Sequence, residues 1–224
     1  MKNYTLYSIM FISFVLFLLT AFTTQIYGKL KIDEIIIQWV NENTSSLIKQ
    51  MMEMLSIIGS SEVILIVTGL IAVIFLVKKD WFHLIFFLIV SVGGVFLNFI
   101  LKIIFQRERP GGEVSHIDVF HVSLEIPSFS FPSGHTMRAA ILFLFFIYLI
   151  TRFVAHNRYK IPLFILCGLS IVGIAVSRLF LDAHFLSDTF AAINISIAWF
   201  TCSYIVLRRY DDSQNRLRQV TFGK

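Results

Sequence analysis

Charged residues are scarce in this chain. Asp, Glu, Lys and Arg make up 15% of its 224 residues, whereas hydrophobic residues make up 57% and mean hydropathy is +0.79. Charged residues make up about 25% of a typical soluble domain, and a helix that spans a bilayer needs about 20 mostly apolar residues. The composition therefore excludes a soluble protein and a tethered extracellular enzyme. It predicts a chain that lies mainly within a membrane, with at most about six spans.

Cysteine, proline and glycine are also scarce, at two, four and eleven residues. Two cysteines exclude a small secreted protein stapled by disulfides. Cys167 and Cys202 both fall within apolar runs, where a structural thiol is usual. The sequence shows no internal repeat and no low-complexity segment, so a single domain over residues 1–224 is expected.

Six apolar runs bounded by charged residues predict transmembrane helices. They cover residues 6–27, 62–77, 82–101, 136–153, 161–177 and 189–207. The second run is short, and it begins earlier if 51–58 belongs to it, with Gly59-Ser60-Ser61 as a kink or a break. The predicted fold is all-α, a polytopic membrane bundle of six transmembrane helices. The first run is longer than the core of a signal peptide, about 7–15 residues, and no A-x-A site follows, so we expect an uncleaved span.

The distribution of Lys and Arg predicts the orientation. Of nineteen such residues, eleven fall on the side of the two termini, seven on the opposite side, and Arg138 at the start of a span. The positive-inside rule then places both termini, with a tail over 208–224, in the cytoplasm. The amphipathic segment 28–61 and the polar loop 102–131 become extracytoplasmic. The basic pI of about 9.3 is explained by this topology and requires no nucleic-acid partner.

Ionisable residues at span ends cluster on the predicted extracytoplasmic side. Such residues are costly near the bilayer and are usually functional. Because they come from separate spans but share one face, we predict that they form one site. They are Lys102, Arg109, His135, Arg138, Arg178, His184 and Asp188.

The residue types in this cluster predict a phosphate-binding site. Lys102, Arg109 and Arg178 are three fixed cations, more than an ion pair needs, and the arginine fork matches phosphate oxygens. Ser133 and Gly134 follow a proline at the predicted start of a helix, where backbone N–H groups and the helix dipole attract anions. We therefore expect an oxyanion ligand, most simply phosphate.

Two histidines and one aspartate supply candidate catalytic groups. His184 and Asp188 are four residues apart and share a face on a helix. The carboxylate can then accept from one ring nitrogen and leave the other as a nucleophile. His135 can protonate the leaving alcohol. Together these three side chains would catalyse transfer of a phosphoryl group.

Simpler interpretations of the same residues remain open at this stage. A Lys or Arg at a span end can be an interfacial anchor, a Pro-Ser-Gly turn can be a helix cap, and a His-Asp pair can be structural or half of a metal site. A metal needs two or three more donors, and nearby cations disfavour a divalent ion, so we predict no metal and no cofactor. Arg107, Glu108 and Arg138 stay open between surface charge, support of the site and headgroup contact. The further metal donors available are His116, Asp118, His121, Glu125 and Asp182.

Three blocks of residues carry a resemblance to a known family. In order, they are Lys102-x6-Arg109-Pro110, Pro132-Ser133-Gly134-His135 and Ser177-Arg178-x5-His184-x3-Asp188. Their order and spacing resemble the signature of the type 2 phosphatidic acid phosphatase superfamily, at every fixed position. That superfamily also includes vanadium haloperoxidases and glucose-6-phosphatase. The short six-span form with Pro-Ser-Gly-His-Thr-Met is similar to the bacterial phosphatidylglycerophosphate phosphatase B group.

The resemblance implies a role for each residue of the site. By this likeness His184 attacks phosphorus to form a phosphohistidine, Asp188 holds its ring, and His135 protonates the leaving group. Water then hydrolyses the intermediate without a metal, because cations and N–H groups stabilise the transition state. The residues implied to bind the phosphoryl oxygens are Lys102, Arg109, Ser133, Gly134 and Arg178.

The expected function is that of a metal-independent, multi-pass cell-membrane phosphatase that hydrolyses phosphatidylglycerophosphate or a related lipid phosphate at its extracytoplasmic face. Its partners are then a phospholipid or polyprenyl phosphate substrate and the membrane lipid. An undecaprenyl diphosphate phosphatase uses the same residues and stays open, whereas a vanadate-dependent peroxidase, large and soluble, does not fit the composition. The non-enzymatic alternative is an anion-binding transporter or scaffold. The lipid, the oligomeric state and the roles of Arg138, His116, His121 and 28–61 stay open.

Overall fold

The computed structural model describes residues 3–110, 115–119, 122–126 and 129–222, and the side chains of 4–110 and 129–210. Within these residues the chain forms eight α-helices and one antiparallel hairpin. The helices are α1 (Asn3–Tyr27), α2 (Lys31–Asn43), α3 (Ser46–Ile57), α4 (Ser61–Val77), α5 (Trp81–Phe105), α6 (Gly134–Phe153), α7 (Asn157–Phe180) and α8 (Leu186–Phe222). The hairpin pairs β1 (Ser115–Val119) with β2 (Val122–Ile126).

Six helical segments of the described chain are long and apolar enough to cross a bilayer, which confirms the predicted six-span helical bundle. They are Tyr4–Tyr27, Ser46–Val77, Trp81–Phe105, Gly134–Phe153, Asn157–Phe180 and Leu186–Tyr210.

The second span is longer than predicted from its apolar core. It consists of α3 and α4, and residues 58–60 interrupt the helix between them. Ser60 caps the N-terminus of α4, because its side chain accepts a hydrogen bond from the N–H of Val63 at 3.3 Å. Gly59 lies against the start of α6, where a Cβ atom on it would come within 3.3 Å of the carbonyl of His135. The break therefore brings backbone of the second span to the beginning of α6.

The two long connections between the predicted spans contain regular structure. The segment 28–61 holds α2 and α3, and α2 packs against α7 and α8. In α2 the buried residues are Asp33 and Val40, so one narrow face of this amphipathic helix meets the bundle. The loop 102–131 contains the hairpin, whose strands are described by their backbone. The predicted tail 208–224 continues α8 as helix to Phe222.

Packed aromatic rings fill the core between α5, α6 and α8. Phe86 is fully buried, and its ring centroid lies 5.8 Å from that of Phe145, 5.3 Å from Tyr148 and 5.1 Å from Phe200. Most other large apolar side chains of the spans point outward and are exposed. Because lipid tails are as apolar as these side chains, close packing rather than the hydrophobic effect holds the helices together.

Gly93 lets α5 approach α8 closely. A Cβ atom at this position would lie 2.6 Å from Cζ2 of Trp199. The indole cannot easily move aside, because its Nε1–H donates to the carbonyl of Val90 at 3.2 Å. A side chain at residue 93 would thus separate the two helices.

We predict that Gly93→Val destabilises the bundle by about 1–3 kcal/mol, the usual cost of overpacking. The midpoint of thermal unfolding in detergent, followed by size-exclusion chromatography, measures the effect. Gly69→Val is the matched control, since nothing lies within 4 Å of a Cβ atom at Gly69. Equal midpoints for the two variants would contradict the packing described for α5 and α8.

Candidate active site

The end of α5 positions the first block of site residues. Gln106 adopts a left-handed conformation with φ 45°, and its N–H donates to the carbonyl of Lys102 at 3.0 Å, which ends the helix. Nζ of Lys102 donates to the carbonyl of Phe129. The carbonyl of Arg107 accepts from the N–H of Ser130 at 2.7 Å. These bonds hold the 129–133 segment against the end of α5.

The second block forms the N-terminus of α6, as predicted. Ser133 is the capping residue, fully buried, and its Oγ lies 3.5 Å from the N–H of Thr136 and 3.0 Å from the hydroxyl of that residue. Gly134 is the first helical residue, and a Cβ atom there would lie 3.2 Å from Oδ1 of Asn98. His135 follows. The helix therefore presents its N-terminal dipole and small residues to the site.

His184 and Asp188 meet, although the predicted reason is wrong. Helix α8 begins at Leu186, so His184 lies in the turn before the helix and does not share a helical face with Asp188. The Asp188 carboxylate instead caps the turn, because its Oδ2 accepts from the N–H of Phe185 at 2.8 Å. Nδ1 of His184 lies 3.6 Å from the same Oδ2, an ion-pair distance longer than a hydrogen bond. Such catalytic pairs commonly tighten when substrate binds.

Asp188 makes three further contacts that the sequence did not identify. Its carboxylate accepts from Nη1 of Arg107 at 2.6 Å and from the hydroxyl of Ser130. Its backbone carbonyl accepts from the N–H of Ser133 at 3.2 Å. Arg107, whose role the sequence left open, is therefore a direct partner of the predicted catalytic carboxylate, while Glu108 is exposed.

The last turn of α7 shapes the loop that carries His184. The carbonyl of Arg178 accepts from the N–H groups of Ala183 at 3.1 Å and His184 at 3.3 Å. The side chain of Arg178 reaches α3, where Nη1 donates to the hydroxyl of Ser56 at 2.6 Å. One arginine thus connects the loop of His184 to the second span.

The predicted site residues converge at one end of the bundle. Arg109, Arg138, Arg178 and His184 all lie within electrostatic range of His135. Nη2 of Arg138 is 3.5 Å from Nδ1 of His135 and 3.5 Å from the carbonyl of Gly59. Arg138, the second residue left open by the sequence, therefore belongs to the same cluster of cations.

Lys102 completes this cluster from α5. It lies within electrostatic range of Arg109, Arg138, Arg178 and Asp188. Four cations, contributed by three helices and one loop, thus surround the imidazole rings of His135 and His184. This arrangement is suited to a multiply charged anion.

Four of the five further metal donors considered from the sequence lie in the 111–128 segment. The side chains of His116, Asp118, His121 and Glu125 lie outside the residues described, and Asp182 lies in the turn after α7. Among the described side chains, His, Cys, Asp and Glu form no group of three that could hold a metal ion. The absence of a metal therefore stays a prediction.

Burial dominates the electrostatics of His184. Its side chain is 1% exposed, and burial lowers the pKa of the ring to about 4, an effect that Asp188 opposes and that Lys102 and Arg109 reinforce. The ring is consequently neutral at physiological pH. Since Nδ1 faces Asp188, the other ring nitrogen, Nε2, holds the lone pair that can attack an electrophile.

The residues of the candidate site lie in a region of the chain that matches a known protein family. Residues 63–211 match the model of the PAP2 superfamily. The chain belongs to the PAP2 superfamily. The match includes all eight predicted catalytic and phosphate-binding residues, whereas α1, α2 and α3 lie before this PAP2 region.

Individual PAP2 relatives extend the likeness. The chain is 27% identical to phosphatidylglycerophosphatase B of Bacillus subtilis (strain 168) over 183 residues, covering 81% of this chain and 80% of the relative. Its fold resembles the crystal structure of the transmembrane PAP2-type phosphatidylglycerolphosphate phosphatase of Bacillus subtilis, with a TM-score of 0.73, 24% identity, and coverage of 91% and 96% of the two chains. LpxE of Aquifex aeolicus has a TM-score of 0.57 at 18% identity, covering 80% of this chain and 98% of LpxE.

We predict that His184 keeps a neutral ring as the pH falls through 6.5 and gains its proton only near pH 4, because its pKa is lowered by burial. Nitrogen-15 NMR of the histidine-labelled protein in nanodiscs measures this, with the spectrum of His184→Gln assigning the signal. Protonation of His184 at or above pH 6.5 in the folded protein would contradict the buried environment described here.

Proposed function

We propose that the chain is a metal-independent integral membrane lipid phosphatase that works through a phosphohistidine. The observation that carries the proposal is the buried His184, with Asp188 beside Nδ1, inside a cluster of cations at the N-terminus of α6. Membership of the PAP2 superfamily supports phosphatase activity. We further propose that residues 1–224 form one integral membrane phosphatase domain.

The first half of the reaction transfers the phosphoryl group to the enzyme. Nε2 of His184 attacks phosphorus, the bond from phosphorus to the lipid oxygen breaks, and the leaving oxygen takes a proton from His135. Asp188 holds the ring of His184 and stabilises the positive charge that develops on it. The products of this step are the lipid alcohol and the phosphohistidine.

The second half releases inorganic phosphate. Water attacks the phosphohistidine while His135, now neutral, takes the proton of the attacking water. The bond from phosphorus to Nε2 breaks, so His184 returns to its neutral state and phosphate leaves. Protons and phosphoryl oxygens are then balanced over the two steps.

Fixed charges supply the catalytic power that a metal supplies elsewhere. Lys102, Arg109, Arg178, the hydroxyl of Ser133 and the N–H of Gly134 stabilise the equatorial oxygens of the transferred group. A bound phosphate dianion also offsets the cations that surround His135. Binding of substrate thereby favours the protonated ring that the first step needs.

A lipid phosphate is the proposed substrate class. The spans expose apolar side chains to the bilayer, and the relative from Bacillus subtilis is named for phosphatidylglycerophosphate. A cleft of about 290 Å³ lies beside the site, lined in part by Phe105, Arg107, Phe131 and Phe185. Aromatic walls next to an arginine suit a lipid that enters laterally with its phosphate foremost. We propose phosphatidylglycerophosphate, or a closely related lipid phosphate, as the substrate.

Undecaprenyl diphosphate is the second candidate substrate. Arg138 places an additional guanidinium beside His135, within 3.5 Å of Nδ1. A second phosphate group would find a partner in this cation. Relative kcat/KM values for phosphatidylglycerophosphate, phosphatidic acid and undecaprenyl diphosphate discriminate between the two substrate classes.

We predict that purified protein in nanodiscs releases phosphate from a lipid phosphate, and that excess EDTA leaves the rate unchanged. His184→Ala should lower the rate by about 10³-fold or more, because the nucleophile is lost, and it should abolish a ³²P-labelled phosphoenzyme trapped by rapid quenching. His156→Ala, at the opposite end of the bundle, is the matched control and should retain activity.

Two outcomes would contradict this mechanism. Loss of activity in EDTA that zinc restores would require a metal, and near-normal turnover by His184→Ala would assign the nucleophile elsewhere. Binding of phosphate analogues without hydrolysis of any lipid phosphate would instead favour the transporter or scaffold.

We propose that the protein lies in the cell membrane with both termini, including 208–224, in the cytoplasm, and with the active site, 28–61 and 102–131 outside. The excess of Lys and Arg on the side of the termini supports this orientation. It also gives the site direct access to lipids of the outer leaflet.

We predict that a cysteine at the exposed Asn41 reacts with an impermeant maleimide in intact cells, because α2 then faces the outside. A cysteine at the exposed Lys78 should react only after lysis. Both are made in a background with Cys167 and Cys202 replaced. The reverse labelling pattern would invert the proposed topology.

A further inference from the structure

Asp33 is a buried carboxylate on a helix that is otherwise mostly exposed. Its side chain is 0% exposed, whereas the neighbouring residues Ile32 and Glu34 on α2 are exposed. A buried carboxylate is costly unless it is paired and hydrogen-bonded. The partners of Asp33 therefore indicate why this residue of α2 is buried.

Among the described residues, the polar contacts of Asp33 all lead to the end of the bundle that holds His184 and Asp188. Oδ1 accepts from the N–H of Ser187 at 2.9 Å, and Oδ2 accepts from the hydroxyl of Ser187 at 2.6 Å. Oδ2 also pairs with Nη2 of Arg107 at 2.8 Å. Ser187 is the second residue of α8 and precedes Asp188 directly. A carboxylate from α2 thus caps the N-terminus of the helix that carries the catalytic aspartate.

Arg107 joins the two carboxylates. Its Nη2 binds Asp33 and the carbonyl of Gly28, each at 2.8 Å, while Nη1 binds Asp188 at 2.6 Å and the hydroxyl of Ser187 at 2.7 Å. The guanidinium carbon lies 4.3 Å from the ring centre of Phe185, between His184 and α8. Because Nη2 binds Asp33 and Gly28, only Nη1 of the guanidinium binds Asp188.

We infer that Asp33 is a positioning residue for the phosphoryl transfer and that α2 is part of the active site. This inference rests on the proposed function. Asp33 holds Nη2 of Arg107 and the start of α8, so that Asp188 keeps Oδ1 on Arg107 and leaves Oδ2 facing Nδ1 of His184. Without Asp33, Arg107 can bind both oxygens of Asp188 as a bidentate pair. Asp188 then no longer orients the nucleophile.

A purely anchoring role for Asp33 makes a different prediction. If Asp33 only attached α2 to the bundle, its loss would lower stability and leave turnover by folded protein unchanged. A positioning role lowers kcat at nearly constant KM, because the phosphate-binding cations are untouched. Val40 offers the comparison, since it is 2% exposed on the same helix and lies outside the charged network.

The test uses full-length protein in nanodiscs with the lipid phosphate that the wild type hydrolyses. Removal of groups that orient reactive side chains at metal sites lowers activity by about 10- to 100-fold, and we expect Asp33→Asn to lower kcat by that order with KM changed by less than about twofold. Asp33→Glu, which keeps the charge, should restore part of kcat. Glu34→Gln, the same change of charge on the exposed face, should leave kcat unchanged.

Val40→Ala controls for the stability of α2. It should lower the unfolding midpoint while kcat of the folded protein stays at the wild-type value. If Asp33→Asn, like Val40→Ala, lowers the unfolding midpoint but leaves kcat of the folded protein at the wild-type value, Asp33 is an anchor and the inference fails. If Asp33→Asn does not fold, Ser187→Ala removes one connection of the network and should lower kcat without raising KM.

The experiment distinguishes failure of this inference from failure of the proposed function. Wild-type protein that hydrolyses no lipid phosphate overturns the proposed function. Active wild-type protein with an Asp33→Asn variant of equal kcat overturns only the positioning role.

Discussion

The ion pair between Arg107 and Asp188 is the interaction on which the site end of the bundle depends. A carboxylate buried among helix ends requires compensation, and the distance of 2.6 Å to Nη1 provides it directly. Three pieces of chain meet at this pair: the segment after α5 contributes Arg107, the segment before α6 contributes Ser130, and α8 contributes Asp188. The first two segments also carry Arg109 and Ser133, which are predicted to bind phosphate, and His184 lies directly before α8. The arrangement that neutralises one buried charge thereby brings the predicted catalytic groups together.

Four cations lie around the two histidine rings of the candidate site. Asp188 pairs with Arg107, and burial keeps His184 uncharged. Lys102, Arg109, Arg138 and Arg178 place positive charge around the rings of His135 and His184. Such a cluster suits a phosphate dianion, and in the proposed mechanism it stabilises the charge that develops on the phosphate oxygens in the transition state.

Hydropathy made the six spans predictable, and the high cost of ionisable groups in membranes predicted a cluster of charged residues at one end of the bundle, where the structure places them. The sequence pattern could not reveal Asp33, because an acid in the first turn of an amphipathic helix normally faces water, and only the fold shows that this one is buried. Arg107 was ambiguous for a similar reason, since it lies two residues from Arg109 in the same loop. The position of His184 before α8 depends on the cap made by Asp188 with the N–H of Phe185, a tertiary detail of one turn. Spacing alone could not distinguish this turn from a continuous helix.

The broken second span connects the active site to its surroundings in another way. Only 11% of the residues in its most apolar stretch are buried, so most of this span faces lipid. Yet Ser56 and Gly59, at its break, accept hydrogen bonds from Arg178 and Arg138. A span of 32 residues adjusts its tilt to the thickness of the hydrocarbon layer. Bilayer thickness and acyl-chain composition therefore act on the partners of two site arginines, which makes the host membrane an element of the site's geometry as well as the source of its substrate.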